Sequence, residues 1–235
     1  MNEVYYRRLF SLSFSSVYLG HLISMRTLPV SLLFFLFSLS AIAQTGTLKQ
    51  QLAGSETAGL NVELVWDLSC PNVHVSMSIQ GDDFSQTIRM LPQLNSRQLY
   101  SYRQGQDSYT IESVEQIPGE VSAIQRIEPL GEEVMMGKLC QKFRVVMESE
   151  VMMLWVWDEG KSDYYGHLAP YFPSSREFQA LAQGKWPGIV WQSEVRDLSG
   201  NLISSLKTID FQPTKPDADR FLLPKDLRPV YPRKP

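Results

Sequence analysis

The chain has few cysteines and no excess of basic residues, and each of these facts excludes a class of protein. The 235 residues include two cysteines, too few for a disulfide-rich scaffold or a four-cysteine zinc site. With 22 basic and 25 acidic side chains the net charge is -3, so a dominant basic surface is missing and we expect no nucleic-acid partner. What remains is a globular composition that is 43% hydrophobic, enough for a folded core.

Signatures of catalysis are also missing. The chain contains no G-x-S-x-G elbow, no H-E-x-x-H pair, no phosphate-binding loop and no G-x-G-x-x-G turn. Of the three histidines, His74 lies among serines on the polar side of a predicted strand, where we expect a solvated surface residue. His167 lies in an irregular loop, where a packing role is expected. We therefore expect a non-enzymatic protein without cofactor or metal, and a hydrolase that uses His167 is the most distant alternative.

An apolar segment near the N-terminus has the pattern of an export signal. Residues Leu28 to Ser40 carry no charge, Arg26 precedes them, and Ala41-Ile42-Ala43 is a small-x-small cleavage pattern. The apolar stretch is shorter than the roughly 20 residues that a membrane-spanning helix needs. The pattern predicts a signal peptide over 1–43, cleavage between Ala43 and Gln44, and no membrane span after processing.

The same pattern predicts a periplasmic or extracellular location. Starting at Met25 would give a signal peptide of conventional length, about 15 to 30 residues. Residues 1–24 are then either an over-extended gene start or a long basic leader.

Strict alternation of apolar and polar residues predicts that most of the remaining chain is β-structure. Residues 62–68 and 73–79 alternate around the turn Cys70-Pro71-Asn72 and predict a hairpin. Further strands are predicted at 84–90, 97–103, 107–114, 122–128, 138–147, 151–158, 189–196 and 202–210. Residues 151–157 are apolar at every position, which is typical of a strand covered on both faces.

A single helix is predicted over 176–183. Ser174 or Ser175 is suited to the N-cap and Gly184 to the C-cap, and Phe178 and Leu181 fall at helical spacing. We expect this short helix to lie against the sheet.

The predicted elements indicate one mainly β (α+β) domain over 59–211, built as an antiparallel sheet, a sandwich or an open barrel. Residues 44–58 are polar and glycine-dotted, and we expect a flexible lead-in there with one short helix over 48–52. The proline-rich tail over 212–235 should run extended over the surface.

Both cysteines would reach an oxidising compartment, where paired cysteines usually bridge, so a Cys70–Cys140 disulfide is expected. The strand pattern speaks against it, because Cys70 falls on the Leu68 side of its strand and Cys140 falls with Lys142. A turn or a bulge would reconcile the two.

The positions of four tryptophans allow two interpretations. Trp66, Trp155, Trp157 and Trp191 either fill a packed core or line an apolar cavity in a half-open barrel. Seven methionines after residue 44 suit an adaptable pocket but equally fill irregular cores.

Three short motifs lie in the second half of the chain: Gly137–Phe143 (GKLCQKF), Leu154–Asp158 (LWVWD) and Phe221–Pro224 (FLLP). They resemble a bacterial envelope family, the domain-of-unknown-function family 4412, which is similar to the LolA-like lipoprotein carriers. The resemblance spans about residues 60–225. It implies a curved antiparallel sheet, shaped as an unclosed half-barrel, with helices capping its concave side. In the lipoprotein carriers the cavity takes acyl chains.

We therefore expect an envelope binding module whose ligand is a lipid or a lipoprotein acyl chain. The residues expected to bind it are Phe143, Met153, Trp155, Trp157 and Trp191. The alternative is a structural or interaction protein of the envelope with a filled core. The sequence leaves the oligomeric state open.

Overall fold

The computed structural model describes residues 45–69, 71–117, 123–158 and 166–231. The predicted signal peptide over 1–43 and its cleavage point at Ala43 and Gln44 lie outside these residues. No helix in the described part is long and apolar enough to cross a membrane.

Twelve strands and one α-helix make up the regular structure of the described residues. The strands are β1 (Thr45–Gly54), β2 (Asn61–Ser69), β3 (Asn72–Gln80), β4 (Ser85–Gln93), β5 (Gln98–Arg103), β6 (Ser108–Ser113), β7 (Ile124–Met135), β8 (Lys138–Met147), β9 (Glu150–Trp157), β10 (Ile189–Asp197), β11 (Leu202–Gln212) and β12 (Arg228–Val230). The helix, α1, spans Arg176–Gly184.

All twelve strands belong to one sheet in the order β12-β6-β5-β4-β3-β2-β1-β11-β10-β9-β8-β7. Two meanders, β1–β6 and β7–β11, are joined where β1 pairs antiparallel with β11. The edge strands β12 and β7 are not paired with each other, so the sheet is an unclosed half-barrel with a short helix. The mainly β prediction is confirmed, and β12 alone pairs in parallel, with β6.

The hairpin of β2 and β3 forms as predicted, and its register separates two faces. Trp66 is opposite Val75, and the neighbouring Asp67 is opposite His74. Because successive side chains of a strand point to opposite faces, Trp66 and Asp67 lie on different sides of the sheet.

The lead-in prediction for 44–58 is wrong over Thr45–Gly54, which forms the central strand β1, and no helix forms over 48–52. Gly46 and Gln50 occupy two of the inward positions of β1, so the strand does not show the alternation of large apolar and polar residues that predicts a strand. Gln50 is buried and donates to the Val190 carbonyl oxygen over 2.7 Å. A Cβ at residue 46 would lie 2.7 Å from the Gln212 carbonyl oxygen, so this packing requires glycine.

Helix α1 lies over the sheet with Phe178, Ala180 and Leu181 buried. The Ser175 hydroxyl accepts from the Phe178 amide, which makes Ser175 the N-cap. The C-cap is one residue later than predicted: Lys185 takes the left-handed conformation, with φ of 52°.

The tail departs from the predicted extended path. Ala218–Phe221 forms a 3-10 helix, and Arg228–Val230 forms β12. From the 3-10 helix Arg220 reaches back to β2, where its guanidinium donates to the Asp67 carboxylate over 2.8 Å.

Candidate ligand-binding cavity

A cavity of about 500 Å³, here called the helix-side cavity, lies between the sheet and the segments that cover it. Its volume falls within the roughly 300–1,000 Å³ typical of small-molecule sites. The strands contribute mainly Leu52, Leu64, Trp66, Val75, Met77, Met90, Leu99, Val190 and Leu206. The covering segments contribute Ile117, Tyr171, Phe172, Pro173 and Phe178, and the polar positions are Gln50, Ser174, Ser175, Arg176, Glu177 and Ser204.

An aromatic group forms one wall of the helix-side cavity. The ring of Trp66 meets Phe178 edge-on at 5.5 Å and Phe172 edge-on at 5.7 Å between centroids. Phe172 and Phe178 are 5.4 Å apart. Edge-to-face pairs at such distances are favourable beyond simple burial, so this wall is well defined.

Apolar side chains on the sheet remain partly exposed toward the cavity. Val75 is fully buried, whereas Leu64 and Met77, which are opposite each other in β2 and β3, are only half-buried. Met90, opposite Val75 in β4, is half-buried as well. Helix α1 is therefore too short to cover this region of the sheet, and part of its apolar surface stays exposed.

The charged residues of the lining are engaged within the chain. Arg176 forms an ion pair with Glu150, with Nε–Oε2 at 2.7 Å. Glu177 accepts from the Ser193 hydroxyl at 2.6 Å and from the Ser175 hydroxyl at 2.9 Å. An apolar occupant would not have to displace these partners.

Tyr171 anchors the covering 3-10 helix Gly166–Tyr171 to the sheet. Its hydroxyl donates to the Gln93 carbonyl oxygen over 3.0 Å. Burial raises the pKa of Tyr171, so the hydroxyl stays protonated and keeps donating.

None of the five residues predicted to bind a ligand lines the helix-side cavity. Phe143 lies under the covering segment and stacks on Trp186 at 3.6 Å. A Cβ on Gly184 would lie 2.6 Å from the Trp186 ring, so the glycine permits this stack.

Leu154 pairs with Phe143 and lies on the same face of the sheet. The opposite face of β9 carries Met153, Trp155 and Trp157. The Trp155 indole donates to Glu133 over 2.9 Å, and the Lys142 ammonium lies 4.8 Å from its ring. Hydrogen bonds from Trp155 and Lys142 lower the pKa of Glu133.

Trp157 and Trp191 meet edge-on at 5.2 Å, and the Lys138 ammonium lies 4.1 Å from the Trp157 ring. Both indoles are buried. The two tryptophans therefore belong to a packed cluster, so of the four tryptophans only Trp66 lines the helix-side cavity.

Cys140 is a free, buried cysteine on β8. Its predicted disulfide partner, Cys70, lies outside the described residues. Burial raises the pKa of Cys140 to about 11, so the thiol stays protonated near neutral pH.

The surface position expected for His74 is wrong. His74 is buried, and its Nδ1 lies 2.9 Å from the carboxylate of Asp67, which is also buried. His167, by contrast, is exposed in the covering 3-10 helix. Asp67 and His74 occupy the same face of the predicted hairpin, so the sequence pattern already placed these two side chains near each other.

Comparison with known proteins finds distant structural likenesses. An uncharacterized conserved protein from Thermus thermophilus is 12% identical, and the match covers 86% of this chain and 99% of that chain with a TM-score of 0.48. A DUF1329 family protein from Desulfovibrio piger is 9% identical over 83% of this chain and 97% of that chain, with a TM-score of 0.32. PNGF-II is 11% identical over 81% of this chain and 31% of that chain, with a TM-score of 0.38.

No protein-family model and no curated protein matches the chain. The resemblance to the domain-of-unknown-function family 4412 therefore stays a prediction. None of these comparisons assigns a function to the helix-side cavity.

Proposed function

We propose that the protein is an exported binding module that holds an apolar chain, such as a fatty acid or a lipoprotein acyl chain, in the helix-side cavity. The observation that carries this proposal is a cavity of about 500 Å³ whose sheet side keeps apolar side chains partly exposed. The export pattern at Leu28–Ala43 supports an envelope location.

The energetics suit a carrier that releases its ligand. Each buried methylene contributes about 0.8 kcal/mol, so ten of them contribute roughly 8 kcal/mol before the cost of association. Micromolar affinity at best follows from this balance. Met77 and Met90 are flexible enough to adapt to chains of different length.

The half-barrel with a short covering helix supports a relation to the LolA-like carriers that the sequence motifs resemble. The lining of the proposed site comes from β1–β5, β10, β11 and the covering segments, whereas the residues expected from the sequence lie on β8, β9 and β10. The tryptophans of the LWVWD strand lie elsewhere.

The test is a titration of the purified mature protein with palmitate, followed by tryptophan fluorescence. Trp66 lines the cavity, so occupancy should change its emission in a saturable manner. Lipid extraction and mass spectrometry of the protein as isolated should identify a co-purified acyl lipid. The absence of both would favour the alternative of an envelope protein with a filled core.

A matched pair of variants on β3 locates the site. Met77 lines the helix-side cavity, and its neighbour Ser78 is on the opposite face of the same strand. Met77→Glu should abolish saturable palmitate binding, while Ser78→Glu should bind as the wild type does. Equal effects of the two substitutions would contradict this location.

A further inference from the structure

A second pocket, here called the tail-side pocket, opens on the opposite face of the same strands. Its volume is about 570 Å³. The sheet contributes Val65, Asp67, His74, Ser76, Arg89 and Tyr102, and the tail contributes Asp219, Arg220, Leu222, Leu223, Pro224 and Lys225. The proposed function makes no use of this pocket.

A hydrogen-bonded carboxylate lies at the base of the tail-side pocket. Asp67 is 1% exposed and accepts from the Thr47 hydroxyl, His74 Nδ1 and the Arg220 guanidinium. Burial acts to raise the pKa of Asp67, but the hydrogen bonds from His74 and Thr47 and the charge of Arg220 outweigh it and leave the pKa below its ordinary value. Asp67 is thus ionised, and Nδ1 of His74 is the nitrogen that donates.

Two other buried nitrogens of the pocket have no hydrogen-bond partner among the described residues. They are Nε2 of His74, whose side chain is 7% exposed, and Nε of Arg89. A guanidinium is always charged and cannot shed its proton to escape burial. Buried polar groups are normally satisfied, and leaving a charged one unpaired is costly.

The charge of the lining favours an anion. Arg89, Arg220 and Lys225 are positive, and Asp67 and Asp219 are negative, so the cations are in excess by one. Asp67 is already engaged by three donors, and Arg89 has no ion-pair partner among the described residues. Nε of Arg89 and Nε2 of His74 therefore suit an acceptor that carries negative charge.

We propose that the tail-side pocket binds a small organic oxyanion, a carboxylate or a phosphate monoester, between Arg89 and His74. The Arg89 Nε–H donates to one anion oxygen. With both ring nitrogens protonated, His74 donates Nδ1–H to Asp67 and Nε2–H to the anion. The apolar part of the ligand lies against Val65, Leu222 and Leu223 on the walls.

The experiment compares benzoate and phenyl phosphate, with benzyl alcohol as the uncharged probe, by isothermal titration calorimetry. We expect one of the two anions to bind at micromolar to millimolar concentration and benzyl alcohol to show no saturable heat. The stronger of the two anions distinguishes a carboxylate site from a phosphate site. Saturation by neither anion, or equal binding of benzyl alcohol, would overturn the proposal.

Arg89→Met should lower the affinity for the anion about tenfold or more, as expected for the loss of a charge-assisted hydrogen bond. Arg103→Met is the control, because Arg103 is exposed on β5 next to Tyr102 and does not line the pocket. The His74 ring signals of the wild-type protein provide a readout that does not depend on a variant's folding. They should move on titration with the binding anion, and stationary signals would contradict the assignment.

Discussion

The two faces of strands β2–β4 carry opposite chemistry at adjacent positions. Trp66, Val75 and Met90 line the helix-side cavity, and their chain neighbours Asp67, His74 and Arg89 line the tail-side pocket. The first face presents apolar surface that the covering helix leaves open. The second presents charged groups that the tail only partly satisfies.

The comparison shows that a single sheet layer separates two pockets of different chemistry. Side chains of consecutive residues point to opposite faces, so the backbone between them is the only shared element. The faces also gain stability differently, from apolar burial on one side and from a hydrogen-bonded carboxylate on the other. Substitutions on one face should therefore leave the ligand of the other face unaffected.

Two substitutions should have the largest effects, and the first of them is on the tail side. Asp67→Ala should lower the free energy of unfolding by about 3–5 kcal/mol, because it leaves buried His74 and the Arg220 charge without their shared partner. Urea denaturation measures the loss. A change below about 1 kcal/mol would mean that water replaces the carboxylate and that the pocket is wetter than its burial indicates.

Trp155→Ala should cost a similar amount, about 3–5 kcal/mol, as large-to-small substitutions in cores do. Trp155 is 6% exposed and bonded to Glu133, but it lies outside both pockets. Palmitate affinity at a temperature where the variant is folded should therefore equal that of the wild type. Loss of binding would return the ligand site to the tryptophan strand that the sequence motifs suggested.

Whether the sequence predicts an element correctly depends on whether its pattern lies within one continuous segment. The β2–β3 hairpin and α1 were predictable because their alternation and helical spacing are short-range patterns, each contained in one continuous segment. Strand β1 was missed, since its inward positions are occupied by Gly46, Leu48 and Gln50 rather than by a run of large apolar residues.

The tail-side pocket was missed for a different reason. Register alone would have paired Asp67 with His74, because the predicted turn places them opposite each other. Arg220 comes from a segment 153 residues later, which no local pattern connects to β2. The same holds for the helix-side cavity, whose existence depends on how much of the sheet a nine-residue helix covers.

Acid should weaken the tail-side network by protonating Asp67. The pKa of Asp67 lies below its ordinary 3.8 in the folded protein, so its contribution to stability is present above that value and is lost as the pH falls through the lower, folded pKa. As the pH falls from 3.8 toward the folded pKa, the free energy of unfolding of the wild type should decrease more steeply than that of Asp67→Asn. Parallel curves from urea titrations at a series of pH values would show that other carboxyls govern acid unfolding.

Filling the helix-side cavity should raise the free energy of unfolding, whereas the changes described above lower it. Leu64→Phe places a larger apolar side chain in open space and should raise stability by about 0.5–2 kcal/mol, the range typical of cavity filling. The same substitution should weaken palmitate binding and leave phenyl phosphate binding unchanged. Destabilisation together with intact palmitate binding would show that the space beside Leu64 is not where the chain binds.

The smallest equilibrium effect is expected at the edge of the covering helix. Ser175→Ala removes the N-cap of α1 and should cost about 1 kcal/mol, whereas Ser174→Ala, the other N-cap candidate, should cost nothing measurable because Ser174 is exposed and does not cap the helix. Phe178 lies in the first turn of α1 and forms part of the cavity wall, so fraying of that turn opens the cavity before the sheet is disturbed. Palmitate should then leave Ser175→Ala faster than Ser174→Ala in stopped-flow displacement, while anion binding in the tail-side pocket stays the same. Equal release rates would mean that the acyl chain exits along another path, past the 3-10 helix Gly166–Tyr171 and not past α1.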